Sequence, residues 1–159
     1  MTNLFGRYTD MKHKSALFAA LGAAATCFIF HNSLQNAAES STSSGVIVNF
    51  VIREFARFGS RLDSGTVTII IRKLAHIAEF FMQGFFFSLA YFFGKSKFSQ
   101  RIVYVLFFGL ITACTDELIQ NFVSGRGSLV TDIWIDFIGV LLAALCYFVI
   151  SALSGKRRM

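Results

Sequence analysis

The sequence predicts an all-α membrane protein: four transmembrane helices in one bundle, with an amphipathic helix lying outside the bilayer between spans one and two. Three observations carry that expectation. Hydrophobic residues make up 55% of the 159-residue chain, with 20 Phe and no Pro, and the mean hydropathy is +0.61, which leaves too little polar surface to clothe a soluble globule of this size. The apolar residues fall into four runs, each roughly 17 to 21 residues long with its polar ends, enough for a ~30 Å hydrocarbon core at ~1.5 Å per residue. The basic residues sit in short clusters beside those runs rather than along a soluble face, which argues for topology signals and against nucleic-acid binding despite a net charge of +6.

The spans are expected at about 15–34, 72–94, 102–121 and 132–154, within a single domain covering 1–159. Backbone amides in lipid must pair within their own segment, so the spans are helical, and the absence of Pro removes the commonest cause of kinks. Cys27, Cys114 and Cys146 lie inside apolar runs, odd in number and without metal or disulfide spacing, and read as small packing residues.

Arg7, Lys12 and Lys14, then Lys95, Lys97 and Arg101, then Lys156, Arg157 and Arg158 form three basic clusters on one side. By the positive-inside rule that side is the cytoplasm, and both termini of this multi-pass protein are expected in it. A cleaved leader ending near Ala37 and Ala38 is the competing reading; His31, Asn32 and Gln35 at the end of the first run are out of place in such a segment.

Between the first two spans, the polar stretch Ser40, Ser41, Thr42, Ser43, Ser44 and Gly45 reads as a break that caps a following helix at about 46–62. There Ile47, Val51, Phe55, Phe58 and Leu62 recur at helical spacing and Arg53, Arg57 and Arg61 recur every fourth residue on another face, the pattern of an interfacial helix with Arg heads toward lipid phosphates. A helix that merely covers the bundle would show the same pattern.

The polar residues of the spans converge in depth. Counted from the cytoplasmic ends at ~1.5 Å per residue, Glu79 and Asp116 lie ~21 Å in, His31 ~24 Å and Asp136 ~27 Å, all in the outer third of the membrane. They also share faces: Arg72, His76, Glu79 and Gln83 in the second span; Gly109, Ala113, Asp116 and Gln120 in the third; Asp132, Asp136, Gly139, Ala143 and Cys146 in the fourth. Small residues on these stripes mark packing faces, so the acids point into the bundle. Glu79, Asp116, Glu117, Asp132 and Asp136 are five acids against Arg72, Lys73 and Arg126. Protonated carboxyls, protonated His31 and His76, or a bound cation are the three remedies for the excess.

RKLAHIAE at residues 72–79, DELIQNFVSGRG at 116–127 and DIWIDFIG at 132–139 together resemble the VanZ-like family of bacterial membrane proteins. The likeness extends over about 28–149 and includes FIFHNSLQNAAESSTSSG upstream. It implies a cell-envelope protein of Gram-positive type, whose family namesake lowers susceptibility to teicoplanin. The signature positions it implies are Lys73, His76, Glu79, Asp116, Glu117, Gln120, Gly125, Arg126, Asp132, Asp136 and Gly139. Ser124 departs from the pattern, since relatives often carry Pro there.

Two chemistries are open for this set. In one, Arg72, Lys73, Gln120 and Arg126, joined by Arg53 and Arg57, grip an anionic lipid headgroup or cell-wall precursor by charge-assisted hydrogen bonds. In the other, His76, Glu79, Asp116, Asp132 and Asp136 supply ligands for a divalent metal and a general base for hydrolysis of a lipid or phosphate ester. An ion pathway is disfavoured because the cytoplasmic halves of the spans lack ionisable groups. A purely architectural ion-pair network is the plainest alternative, and five acids from three helices are a costly way to set helix register. Trp134 reads as an interface anchor, and Phe85, Phe86 and Phe87 as lipid-facing or packing surface.

Overall fold

The computed structural model describes residues 2–94 and 98–153. Lys95 and Lys97 of one basic cluster, Lys156, Arg157 and Arg158 of another, and the expected last residue of span four lie outside the described residues. Five helices follow in order: α1 Thr2–Ser33, α2 Ala37–Arg57, α3 Ser64–Phe93, α4 Phe98–Gln120 and α5 Val130–Leu153. Among the described residues there is no strand. Three segments of the described residues are long and apolar enough to cross a membrane: Thr9–Ser33, Gln100–Gln120 and Val130–Leu153. The long α3 carries Arg72, Lys73, His76, Glu79 and Gln83 along one stripe, and these residues lower its apolar character.

Several expected boundaries move. The first helix begins at Thr2 instead of about 15, with Lys14 paired to Asp10 one turn earlier at 2.7 Å, so the basic tail is wound into the helix. The expected break at Ser40–Gly45 is not a break. Asn36 forms a capping box with Glu39, its side chain accepting from the Glu39 amide at 2.9 Å while its own amide donates to Glu39 Oε2 at 3.1 Å, and the helix starts there. Thr42 and Ser44 then donate their hydroxyls to the carbonyls of Ala38 and Ser40 at 2.9 Å, which keeps the polar run helical.

This helix also stops early, at Arg57, because Gly59 takes φ +78°, a left-handed turn that glycine adopts without strain. Arg61 and Leu62 therefore lie beyond it. The stripe expected to be its apolar face is mostly outward: Ile47 and Phe55 are exposed, whereas Val48 is buried. Asp63 then caps α3 by accepting from the Thr66 amide at 2.7 Å, and that bond holds its carboxyl below the usual value.

The core lies between α1, α3, α4 and α5, around Ile29, Phe80, Val105, Ala113 and Val140. Phe80 is fully enclosed. The expected small-residue stripes are the packing faces: a Cβ on Gly84 would lie 3.0 Å from Ala143 Cβ, and one on Gly109 would lie 2.6 Å from Val140. Closest of all is Gly139, where a Cβ would sit 2.4 Å from the Ile77 carbonyl and 2.9 Å from the Phe81 amide. Here α5 meets the backbone of α3. Cys27 and Cys114, expected as packing residues, are on the outer surface instead, and Cys146 is half-buried. Cys27 and Cys114 each follow an inward-facing residue, Thr26 and Ala113, by one position, which turns them outward.

The contact predicts that Gly139→Ala destabilises by about 1–3 kcal/mol, the usual cost of overpacking a closed core. Gly45→Ala, with nothing within 4 Å of the added carbon, should stabilise α2 by up to about 1 kcal/mol through helix propensity. Unfolding of the detergent-solubilised variants, followed by circular dichroism, measures both.

Candidate functional site

The close approach at Gly139 brings α3 and α5 together one turn away from His76 and Asp136. His76 Nδ1 lies 3.3 Å from Asp136 Oδ1 and 3.7 Å from Asp116 Oδ2. Three helices thus deliver one imidazole and two carboxylates to a single point at one end of the bundle. Asp116 and Asp136 are essentially inaccessible to solvent, at 0% and 1% exposure, so their partners must come from the protein or from something bound to it.

Asp116 is well supplied. Gln120, one turn on, donates Nε2 to Oδ2 at 2.7 Å, and the Ser33 hydroxyl of α1 donates to Oδ1. Asn32 Nδ2 donates to Glu79 Oε1 at 2.9 Å. Below them, the Gln83 amide donates to Thr26 Oγ1 and Thr112 Oγ1, both at 2.8 Å, tying α1, α3 and α4 at one level.

The remaining acids leave the centre. Asp132 pairs with Lys73 Nζ at 2.5 Å across α3 and α5, both side chains partly exposed. Lys73 is therefore a bridging residue rather than a free outward-reaching cation. Glu117, buried, accepts from the Leu129 amide at 2.9 Å and so shapes the loop between α4 and α5. That loop turns at Gly125, with φ +76°, and presents Arg126.

Arg126 is the unsatisfied member. Its Nε and Nη1 are buried without a hydrogen-bond partner, as are Glu79 Oε2 and Asp136 Oδ2. Burial, with repulsion from the Arg72 guanidinium, pulls Arg126 below the ordinary guanidinium value. A cavity of about 260 Å³ opens beside it, lined by Arg72, Lys73, His76, Gln120, Arg126 and Asp136 among others. A second cavity, about 270 Å³, is bordered by Arg72, His76 and Arg126 again, together with Asn32, Glu79 and Phe28. The two cavities share those three residues, two guanidinium groups and an imidazole next to a buried acidic centre.

Of the expected metal and catalytic candidates, His76, Asp116 and Asp136 come within 4.8 Å of one another through their ligand atoms. Glu79 lies toward Asn32 and Asp132 toward Lys73. Of the expected ligand-binding residues, Arg72, Lys73, Gln120 and Arg126 line the first cavity. Arg53 and Arg57 do not; both are exposed on α2, with Arg57 bound to Glu54 at 2.9 Å. Every fourth residue of a helix shares a face, and that face points away from α3.

The first helix is also corrected. His31 is exposed, and Asn32 and Ser33 reach the centre in its place. A signal was present in the sequence: Ser33 follows the core residue Ile29 by four, a spacing that puts both on one face.

A helical bundle with a buried polar centre at one end and three apolar helices long enough to span a bilayer defines a class of small integral membrane proteins. The VanZ/LLP1 family model matches residues 18–151, and the chain belongs to that family. Neither the curated proteins nor the solved structures contain a match.

The centre predicts a contrast in α1. Ser33→Ala leaves a buried carboxylate oxygen without its donor and should cost about 1–3 kcal/mol, while His31→Ala should stay within about 0.5 kcal/mol of the parent. Chemical unfolding in detergent checks both, and a larger loss at His31 would refute this orientation of α1.

Proposed function

We propose that the chain is a multi-pass protein of the bacterial plasma membrane in which α1, α3, α4 and α5 span the bilayer and both termini are cytoplasmic. On this reading α2 lies at the outer interface, and the polar cavities open outward. The asymmetry of basic residues supports the orientation, as does the gathering of polar groups at the bundle end remote from the termini. An alkaline phosphatase fusion should be active when inserted near Gly59 and inactive at the C-terminus; the reverse pattern rejects the orientation.

The site, we propose, holds an anionic headgroup, the phosphate of a membrane lipid or of a lipid-linked cell-wall precursor. The observation that carries this reading is Arg126, whose buried Nε and Nη1 lack acceptors and border both cavities. Leaving buried donors unpaired costs about 1–3 kcal/mol, more for a charged group, and a phosphate offers acceptors in the geometry a guanidinium matches. Arg72 and Lys73, on the same rim, add positive charge. Through that binding the protein would lower susceptibility to teicoplanin-type glycopeptides.

Native mass spectrometry of the purified parent should show a retained phosphate-bearing lipid, and Arg126→Ala should weaken retention about 10- to 100-fold, the equivalent of one charge-assisted bond. Arg126→Lys should restore it only in part. Annular lipid without headgroup preference, in parent and variant alike, would sink the reading.

A metal-dependent hydrolase acting on a lipid or phosphate ester is the second reading. It is favoured by the position of His76 and Asp136 on the wall of the cavity that Arg126 borders. Release of phosphate or of the lipid alcohol from the retained ligand would decide for it.

A further inference from the structure

The polar centre has a feature that headgroup binding does not use. His76 Nδ1, an Asp116 oxygen and an Asp136 oxygen converge from α3, α4 and α5 within 4.8 Å, and the arrangement remains short of positive charge. Lys73 is engaged by Asp132, and Arg126 Nε and Nη1 make no hydrogen bond to any of the three. We propose that these three residues form a binding site for one divalent cation of the zinc or manganese class, with its open coordination position facing the 260 Å³ cavity.

Four observations support it. Ligand atoms around a tetrahedral ion with bonds of about 2.0–2.1 Å stand about 3.3 Å apart; the two His76 separations are 3.3 and 3.7 Å. Asp136 Oδ2 has no donor although the residue is 1% exposed and lines the cavity, so an acceptor in a closed wall lacks the positive partner that burial demands. Asp116 is held by Ser33 and Gln120, the outer-shell bonding that orients carboxylate ligands. The donor set itself, one imidazole nitrogen with two carboxylates, suits zinc or manganese better than magnesium or calcium, which take oxygen ligands.

The assignment narrows the five candidates read from the sequence. Glu79 and Asp132 fall outside because each lies toward a different partner, Asn32 and Lys73. An ion at the three ligands would lie beside the Arg126 cavity, and an anionic oxygen there would meet positive charge from both sides. The site stands on its own geometry, independently of which headgroup is held or whether it is cleaved.

The test loads chelator-stripped full-length protein in detergent with Mn²⁺ or Zn²⁺. Bound Mn²⁺ is read by electron paramagnetic resonance and bound Zn²⁺ by elemental analysis. One ion per chain is expected, with affinity at least tenfold lower in Asp136→Asn and in His76→Gln and within about twofold of the parent in Asp132→Asn. Gln120→Ala should weaken it by about 10-fold, as loss of an outer-shell partner does. A parent that retains neither ion, or an Asp136→Asn protein that binds as the parent does, overturns the site. Should Asp136→Asn fail to fold, the parent alone decides: a melting temperature raised by the ion and lowered by chelator supports the site, and an unchanged one rejects it. Lipid retention measured in chelator reads the headgroup separately, so either proposal can fall without the other.

Discussion

Carboxylates cannot be withdrawn from water without partners, and in this chain that constraint organises one whole end of the bundle. Asp116 and Asp136 are fully enclosed, and an unpaired buried charge costs several kcal/mol. Each partner comes from a different helix: Ser33 from α1, His76 from α3, Gln120 from within α4. The helices are consequently held in register by polar contacts at one end and by small-residue packing further along. Gly139 links the two, because there α5 comes close enough to the α3 backbone for Asp136 to meet His76.

Around that centre the charged residues divide into distinct tasks. Lys73 and Asp132 tie α3 to α5 with partial exposure, where screening by solvent limits what the pair contributes. Glu117 spends its carboxylate on the loop amide at Leu129, and the loop in turn delivers Arg126. What is left unsatisfied, Arg126 Nε and Nη1 on one side and Asp136 Oδ2 and Glu79 Oε2 on the other, is of both signs and borders two cavities. A network built only for register has little reason to leave opposite charges apart. Separated charges flanking a space suit a ligand that carries both signs, or a phosphate and a cation together.

Much of this was legible from spacing. The stripes through His76, Glu79 and Gln83, through Ala113, Asp116 and Gln120, and through Asp136, Gly139 and Ala143 follow the helical period and pack inward as that period requires. Where residue type and helical position point different ways, position decides. His31 drew attention as titratable, yet its neighbours Asn32 and Ser33 share the face of the core. The Ser-rich stretch looked like a break because serine favours caps, whereas back-bonding to carbonyls four residues earlier keeps it helical. Arg53 and Arg57 had the right chemistry for phosphate but sit on a helix whose far side meets α3.

Local sequence determined which segments are helical, which face of each carries polar groups, and that carboxylates outnumber the permanent cations among those groups, because backbone hydrogen bonding and helical period act over a few residues. Tertiary structure decided the partners. Distances between α3, α4 and α5 depend on how closely glycines let backbones approach, and that alone selects His76, Asp116 and Asp136 from five candidates while sending Asp132 to Lys73 and leaving Arg126 unpaired. Pairing across helices is a property of packing, and no pattern within a single helix encodes it.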